Sequence, residues 1–465
     1  MNLFLPISLI TPIFPIFPVP NPQSPVTVNI DSLLQPLQHF GVNLGLTRIV
    51  KLLANLDNPH HQVPLIHVGG TNGKGSVCAY LSSVLTEAGY RTGRYTSPHL
   101  VDWTERICIN ERPINPETLS QLILRIQSAI DLREESPTQF EVITAAAWLY
   151  FAQQKVDVAI VEVGLGGRLD ATNVCPKPLV TVITSISREH WQQLGPTVAD
   201  IAGEKAGIIK PGCPVVIGQL PADAEKVVRA RSLELQCPII APQPAQEINP
   251  GWAEYYKIQN SKYPPGNHPP GLYQIENSES IRYHLPLQGQ IQLHNSTLAL
   301  AALEILQKQG WQISEQTIIN GIGKTKWPGR MQWFTWKHNN YNYQLLIDGA
   351  HNPASAQVLR NYVDSFSTQN ITWVIGMLAT KDHSDIFHAL LKTGDKLYLV
   401  PVPDNNSANL DHLSKLANET YPDLGFCSTY PDVFSALDAA FTSTDNLVVL
   451  CGSLYLIGHF LGNSN

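Results

Sequence analysis

Val63-Pro-Leu-Ile-His-Val68-Gly-Gly-Thr-Asn-Gly-Lys74-Gly-Ser76-Val-Cys-Ala-Tyr-Leu-Ser-Ser-Val-Leu-Thr-Glu-Ala-Gly-Tyr90 carries three signals in succession. The apolar run 63–68 reads as a buried strand. Ser76 to Tyr90, with Val77, Leu81, Val84, Leu85 and Ala88 at helical spacing, reads as the helix that follows. Between them lies a glycine-rich joint. Glycines let the backbone wrap closely enough for its N–H groups and the helix N-terminus to face phosphate oxygens. Lys74 would neutralise terminal phosphates, and the Ser76 hydroxyl would offer an oxygen to a Mg²⁺ bridging them. Two positions depart from a strict Walker pattern: Val68 stands where glycine is required, and Gly75 where Ser or Thr should follow the lysine. An ordinary glycine-rich turn therefore stays open as the alternative.

Working outward, runs rich in Val, Ile and Leu alternate with helical patterns, as in buried parallel strands joined by crossover helices. Strands are predicted at Val156–Val163, Leu179–Ile186 and Pro214–Gly218, and a helix at Glu141–Gln153. Residues 220–290 give no regular pattern; Asn249-Pro-Gly and Tyr263-Pro-Pro-Gly suggest loops within a more β-like segment. A helix at Leu298–Gln309 and a turn at Trp327-Pro-Gly-Arg330 precede further strands at Tyr343–Ile347, Ile371–Gly376, Lys396–Val400 and Leu447–Cys451. The expected fold is α/β: a P-loop-type, mostly parallel sheet over residues 28–325, then a smaller Rossmann-like α/β domain over 326–465. Residues 1–27, uncharged and proline-rich, are expected to form a disordered extension, since those prolines interrupt any helix.

Composition limits the functions. At 465 residues the chain is long enough for two or three domains. Charged residues are 15% against a usual quarter or so, and hydrophobic residues 43%, which describes a well-buried globular protein. A net charge of -7 gives no global field for nucleic acid or an anionic membrane. Seven scattered cysteines, none spaced as C-x-x-C, argue against a disulfide framework or zinc site and favour a reducing, cytoplasmic compartment.

Other candidate residues lie at strand ends, where open α/β sheets bind ligands. Glu162 interrupts an otherwise apolar strand, and a cation or a structural partner would offset the cost of burying it. His190 follows the next strand and could present a neutral imidazole on the same edge. Lys205 by position reads as a surface lysine. Asp348 and His351 end another strand, where Asp348 could simply cap a helix. Arg330 follows the turn at the expected hinge, placed to reach phosphates held by the other domain.

Together these segments resemble the folylpolyglutamate synthase/dihydrofolate synthase family of the Mur ligases, from about Gly45 to the C-terminus. The resemblance rests on Ile66-His-Val-Gly-Gly-Thr-Asn-Gly-Lys-Gly-Ser76, Thr96-Ser-Pro-His-Leu100 with Glu105-Arg-Ile107, Phe140-Glu141, Glu162-Val-Gly-Leu-Gly-Gly-Arg-Leu-Asp-Ala-Thr-Asn173, Glu204-Lys-Ala-Gly207, Pro328-Gly-Arg330, Asp348-Gly-Ala-His-Asn-Pro353 and Gly452-Ser-Leu-Tyr455. It implies ATP phosphates on Thr71, Asn72, Gly73, Lys74, Gly75 and Ser76. Mg²⁺ would be held by Ser76, Glu162 and His190, and a second Mg²⁺ by a carbamoylated Lys205. Asn295 would lie near the adenine, Arg330 on the phosphates and Asp348 on the ribose. His351 and Ser453 would belong to the glutamate pocket. Thr96, Ser97, Pro98, His99, Asp170 and Asn173 would face the folate or pteroate. Two positions depart from the family pattern: Ile291 stands where a histidine is usual, and Glu189 replaces the aspartate before His190.

The resemblance further implies catalysis involving Lys74, Lys205 and His351, with dihydropteroate or a reduced folate, L-glutamate and ATP as substrates. An acyl phosphate would be the intermediate and the enzyme a monomer, its two domains closing about a hinge near residue 325. Two rivals are a peptidoglycan-precursor ligase, for which too little chain precedes the phosphate loop to form a UDP-binding domain, and a non-catalytic nucleotide-binding protein.

Overall fold

The computed structural model describes residues 29–40, 43–131, 133–258, 279–366, 370–404, 406–443 and 447–464. The extension expected over 1–27 and the loop around Tyr263 lie outside them.

The first sheet has eight strands: β1 Leu65–Gly69, β2 Thr92–Tyr95, β3 Ile107–Ile109, β4 Arg112–Pro113, β5 Val158–Glu162, β6 Val180–Ile183, β7 Val215–Ile217 and β8 Ile239–Ile240. Their order is β4-β3-β2-β5-β1-β6-β7-β8. The six strands from β2 to β8 run parallel, while β3 and β4 extend one edge antiparallel. Full burial explains why the central strands read as unbroken apolar runs rather than alternating ones. β1 lies between β5 and β6, with Val68 opposite both Glu162 and Val182. The chain segments leaving these three strands are therefore adjacent on the carboxyl edge.

The helix Lys74–Glu87 is buried from Ser76 to Leu85 and packs in a core with the helices Ile291–Lys308 and Glu315–Lys324. Over that core lies an antiparallel sheet of β9 Gln246–Asn249, β10 Trp252–Tyr256 and β11 Ser280–His284. This accounts for the β-like texture of 220–290, and Gly251, at φ +75°, makes the turn expected at Asn249-Pro-Gly. The helix Ala222–Glu234 in the same region escaped the sequence reading. It buries only Ala224, Val228 and Ser232, a stripe too narrow to stand out among its charges.

The second large sheet comprises β12 Gln332–His338, β13 Tyr341–Ile347, β14 Thr372–Ile375, β15 Lys396–Leu399, β16 Phe426–Thr429 and β17 Val448–Cys451. Its order is β12-β13-β17-β14-β15-β16, parallel except for the β12–β13 hairpin. Asn339 and Asn340 form the two-residue hairpin turn, both at positive φ, which asparagine tolerates. Among the described residues no helix is long and apolar enough to cross a membrane.

Gly321 permits a close helix contact. A Cβ there would lie 2.5 Å from Val84 Cα, and the Ser83 hydroxyl donates to Gly321 O at 2.6 Å. Gly321→Ala should force these helices apart and lower unfolding stability by about 1–3 kcal/mol despite alanine's better helix propensity. Urea denaturation measures this; an unchanged midpoint would refute the contact.

Candidate active site

The glycine-rich joint is fixed from below by the segment leaving β6. Thr71 N donates to Ser185 O at 2.7 Å and Asn72 N to Ser185 Oγ at 3.0 Å, while Thr184 Oγ1 donates to Asn72 O at 2.7 Å. Gly73, at φ +85°, caps the helix beginning at Lys74. Asn295 presses on it so closely that a Cβ would meet Asn295 Oδ1 at 2.4 Å. Lys74 Nζ donates to Thr71 O at 2.9 Å and lies 4.0 Å from Glu162 Oε1. The missing Ser/Thr after Lys74 has a steric cause: a Cβ on Gly75 would come within 2.6 Å of the Trp327 ring.

Glu162 ends β5 fully buried. Burial raises its pKa, opposed by Lys74 and by the Ser97 N–H, which donates to Oε2 at 3.2 Å. Lys205 is not a surface residue. It is buried in the last turn of the helix Val198–Ala206, and its Nζ donates to Gly70 O at 2.8 Å, beneath the phosphate loop. Burial, then the nearby Lys74 charge, lowers its pKa to about 7. Asp348 is buried at the end of β13, accepting from Met331 N and Ala350 N at 2.8 Å each; burial raises its pKa and Arg330 opposes the rise.

His190 occupies a left-handed position after β6 with its side chain 45% exposed, and what burial it has lowers its pKa. Its neighbour Glu189 bridges the two sheet units. The carboxylate accepts from His351 Nε2 at 3.0 Å and Lys381 Nζ at 3.3 Å, and these partners outweigh burial to hold its pKa far below the usual range. A second bridge joins Asn72 of the phosphate loop to Asn352, the residue capping the helix Pro353–Asp364, through reciprocal amide hydrogen bonds of 3.3 and 3.0 Å.

Two cavities meet at Ser97–Pro98. One, of about 400 Å³, is lined by Arg106, Phe140, Asp170, His190, His351 and Ser453, with Lys381 also in its wall. The other, of about 450 Å³, is lined by Gly75, Thr96, His99, Glu162, Trp327 and Arg330. Beyond the far side of the phosphate loop, Asn72, Ser185, Ile291, His294 and Asn295 enclose about 160 Å³. An imidazole thus borders this pocket from position 294, one helical turn beyond Ile291. Asp170 is buried and its carboxylate is taken up by Leu165 N, Thr172 N and the Thr172 hydroxyl. Asn173 uses its amide to tie Arg168 O to Gly207 O. Lys381 and Trp327 were passed over in the sequence. Lys381 stands just past β14, where the strand-end rule applied elsewhere would have found it.

A resident Mg²⁺ can be tested against this donor set. Ser76 and Glu162 supply hard oxygens beside Lys74, and His190 a neutral nitrogen, a chemistry that fits the ion. Among the described residues no three His, Cys, Asp or Glu side chains gather into a ready-made cage. Phosphate and water oxygens would complete its shell, as is usual for Mg²⁺.

A phosphate loop on one sheet, a second sheet unit facing it and cavities between them define a two-domain nucleotide-dependent ligase architecture. Residues 68–303 match the Mur ligase middle domain, and residues 332–463 the dihydrofolate synthetase C-terminal domain. The chain is 33% identical to the dihydrofolate synthase/folylpolyglutamate synthase of Bacillus subtilis, over 90% of this chain and 94% of that one. The folylpolyglutamate synthase of Lacticaseibacillus casei is 33% identical over 88% and 92%. Among solved structures, Mycobacterium tuberculosis folylpolyglutamate synthase complexed with ADP and AMPPCP superposes with a TM-score of 0.79 at 30% identity, covering 93% of this chain and 99% of that one. Escherichia coli FolC in complex with DHPP and ADP gives 0.75 at 29%, covering 94% and 98%. The chain belongs to the dihydrofolate synthase/folylpolyglutamate synthase family, ATP-dependent ligases that form C–N bonds. The C-terminal match favours this branch over the peptidoglycan-precursor ligases.

Lys205 makes a pH prediction. Its folded pKa is about 7 against 10.5 unfolded, so below pH 7 the buried charge destabilises the fold in full. Between pH 7 and 10.5 the unfolded chain binds the extra proton, and stability must rise with pH by up to about 1.4 kcal/mol per unit relative to Lys205→Met. Urea unfolding of both proteins in chelator at pH 7 and 9 measures the difference; parallel pH profiles would exclude it.

Proposed function

We propose that the protein uses ATP to join L-glutamate to the carboxylate of dihydropteroate or a reduced folate through an acyl phosphate. The observation that carries this is the meeting of Lys74, Glu162 and Arg330 where the phosphate loop opens toward the two cavities. Carboxylate resonance resists attack by an amine, so one oxygen must first become a leaving group. An oxygen of the substrate acid attacks the γ-phosphorus, the bond to the bridging oxygen breaks, and ADP departs. The glutamate amine then attacks the acyl carbon and loses a proton, and collapse of the tetrahedral intermediate expels phosphate.

In this reading Thr71 to Ser76 wrap the phosphates, and Lys74 and Arg330 offset the charge of the transferring group by position and electrostatics. Asn295 borders the adenine and Asp348 the ribose. Thr96, Ser97, Pro98, His99, Asp170 and Asn173 shape the folate side, while His351 and Ser453, joined by Lys381, form the glutamate side. Mg²⁺ at Ser76, Glu162 and His190, with a second ion at carbamoylated Lys205, would spread phosphate charge. A fraction of neutral amine at Lys205 near pH 7 suits carbamoylation, which requires the unprotonated nitrogen. The enzyme is read as a monomer. The seven cysteines are free, in keeping with a reducing cytoplasm. Closure about a hinge near residue 325 would shield the acyl phosphate from water.

ADP release should require both glutamate and dihydropteroate or tetrahydrofolate, and Lys74→Ala should lower it by at least about a hundredfold. ADP release independent of either organic substrate would refute the ligase reading. In ¹³C-bicarbonate, a carbamate NMR signal is expected from the wild type and not from Lys205→Met. Small-angle scattering should show contraction with an ATP analogue and folate together, and superimposable profiles would exclude closure.

A further inference from the structure

Buried arginines among the described residues come with carboxylates, with one exception. Arg94 donates to Glu111 at 3.1 Å; Arg360 holds Asp395 at 2.6 Å and Asp364 at 2.7 Å. Arg106 is 8% exposed, and no described carboxylate lies within ion-pair distance of it. Its Nε donates to His99 Nδ1 at 2.9 Å, its guanidinium lies 4.3 Å from the centre of the Trp103 ring, and the Tyr95 hydroxyl is beside it. All three neighbours are uncharged, since burial lowers the His99 pKa to about 4. They orient the guanidinium without neutralising it; Glu162 attracts it only from beyond ion-pair distance and is itself engaged by Lys74 and the Ser97 N–H, and Tyr455 is the remaining group that acts on it. A guanidinium stays protonated even when buried, so an unpaired one is costly unless an anion arrives.

The surroundings show where that anion would come from. Arg106 lines the cavity of about 400 Å³ beside Ser97, Pro98 and Phe140. The other charges in that wall are already engaged: Lys381 with Glu189, which the His351 imidazole also bonds, Glu141 with Arg48 at 3.1 Å, and Asp170 with backbone N–H groups and Thr172. Ser97, whose N–H holds Glu162, shares the wall, so an acid on Arg106 lies on the side of the cavity nearest the phosphate-transfer groups.

We propose that Arg106 is the binding residue for the carboxylate of the organic acid substrate, a flat aromatic acid seated in this cavity with its charge on the guanidinium. This rests on the substrate reading given under Proposed function. Calorimetric titration of the wild type, Arg106→Leu and Arg106→Gln with pteroate and with its uncharged carboxamide tests it. The wild type should prefer pteroate. Both variants should bind pteroate about thirtyfold more weakly, the scale of a lost charged hydrogen-bonded contact, and bind the carboxamide within about twofold of the wild type. Binding of a non-hydrolysable ATP analogue should not change. Thermal midpoints should hold or rise, because an uncompensated buried charge is removed; a purely structural arginine would lower them. Unchanged pteroate affinity, or equal loss for both probes, would overturn the inference. A wild type that binds neither probe overturns the substrate reading, and this inference with it.

Discussion

The structure depends on one constraint: parallel strands β5, β1 and β6 lie side by side, so the segments leaving them must share one edge. A glycine loop, a buried carboxylate and the Ser185–His190 segment are separated by up to about a hundred residues in the chain, yet hydrogen bonding of the sheet makes them neighbours. The loop's conformation follows from that adjacency, since Thr184 and Ser185 supply its side-chain and carbonyl partners. Even Lys205 takes part, because its helix delivers its Nζ to the Gly70 carbonyl at the glycine loop.

Much of this was legible in the sequence, for physical reasons. Fully buried parallel strands leave no alternating pattern, only apolar runs ending in polar or glycine residues, and Val158–Glu162 and Val180–Ile183 fall within the runs expected. The glycine string marked a tight strand-to-helix joint because few other uses need so many small residues between a strand and a helix, and the structure places that joint at Gly69–Lys74. Other parts were illegible because the signal was weak or depended on partners far away. Lys205 reads as solvated when only its neighbours in sequence are considered; its burial is a tertiary fact. The helix Ala222–Glu234 buries too thin a stripe to register. Strand β12 was missed although Asn339-Asn340 is a good hairpin turn, because its flanking residues are half-exposed and mixed in polarity.

The two sheet units are joined by polar contacts as well as by the chain itself. Asn72 and Asn352 exchange amide hydrogen bonds, so the glycine loop and the cap of a helix in the second unit are tied directly to each other. Glu189, with one methylene more than the aspartate usual there, reaches both His351 and Lys381. Such contacts are individually modest and break readily in water, which suits the domain closure proposed above.

Trp327 gives this arrangement its mechanical character. The indole rests on Gly75 in the first turn of the phosphate-binding helix, and three residues later the same peptide carries Arg330. The peptide connecting the two sheet units is thus seated on the first turn of the helix that follows the glycine loop. A methyl group on Gly75 would push on that indole, and through it on the peptide that connects the two units.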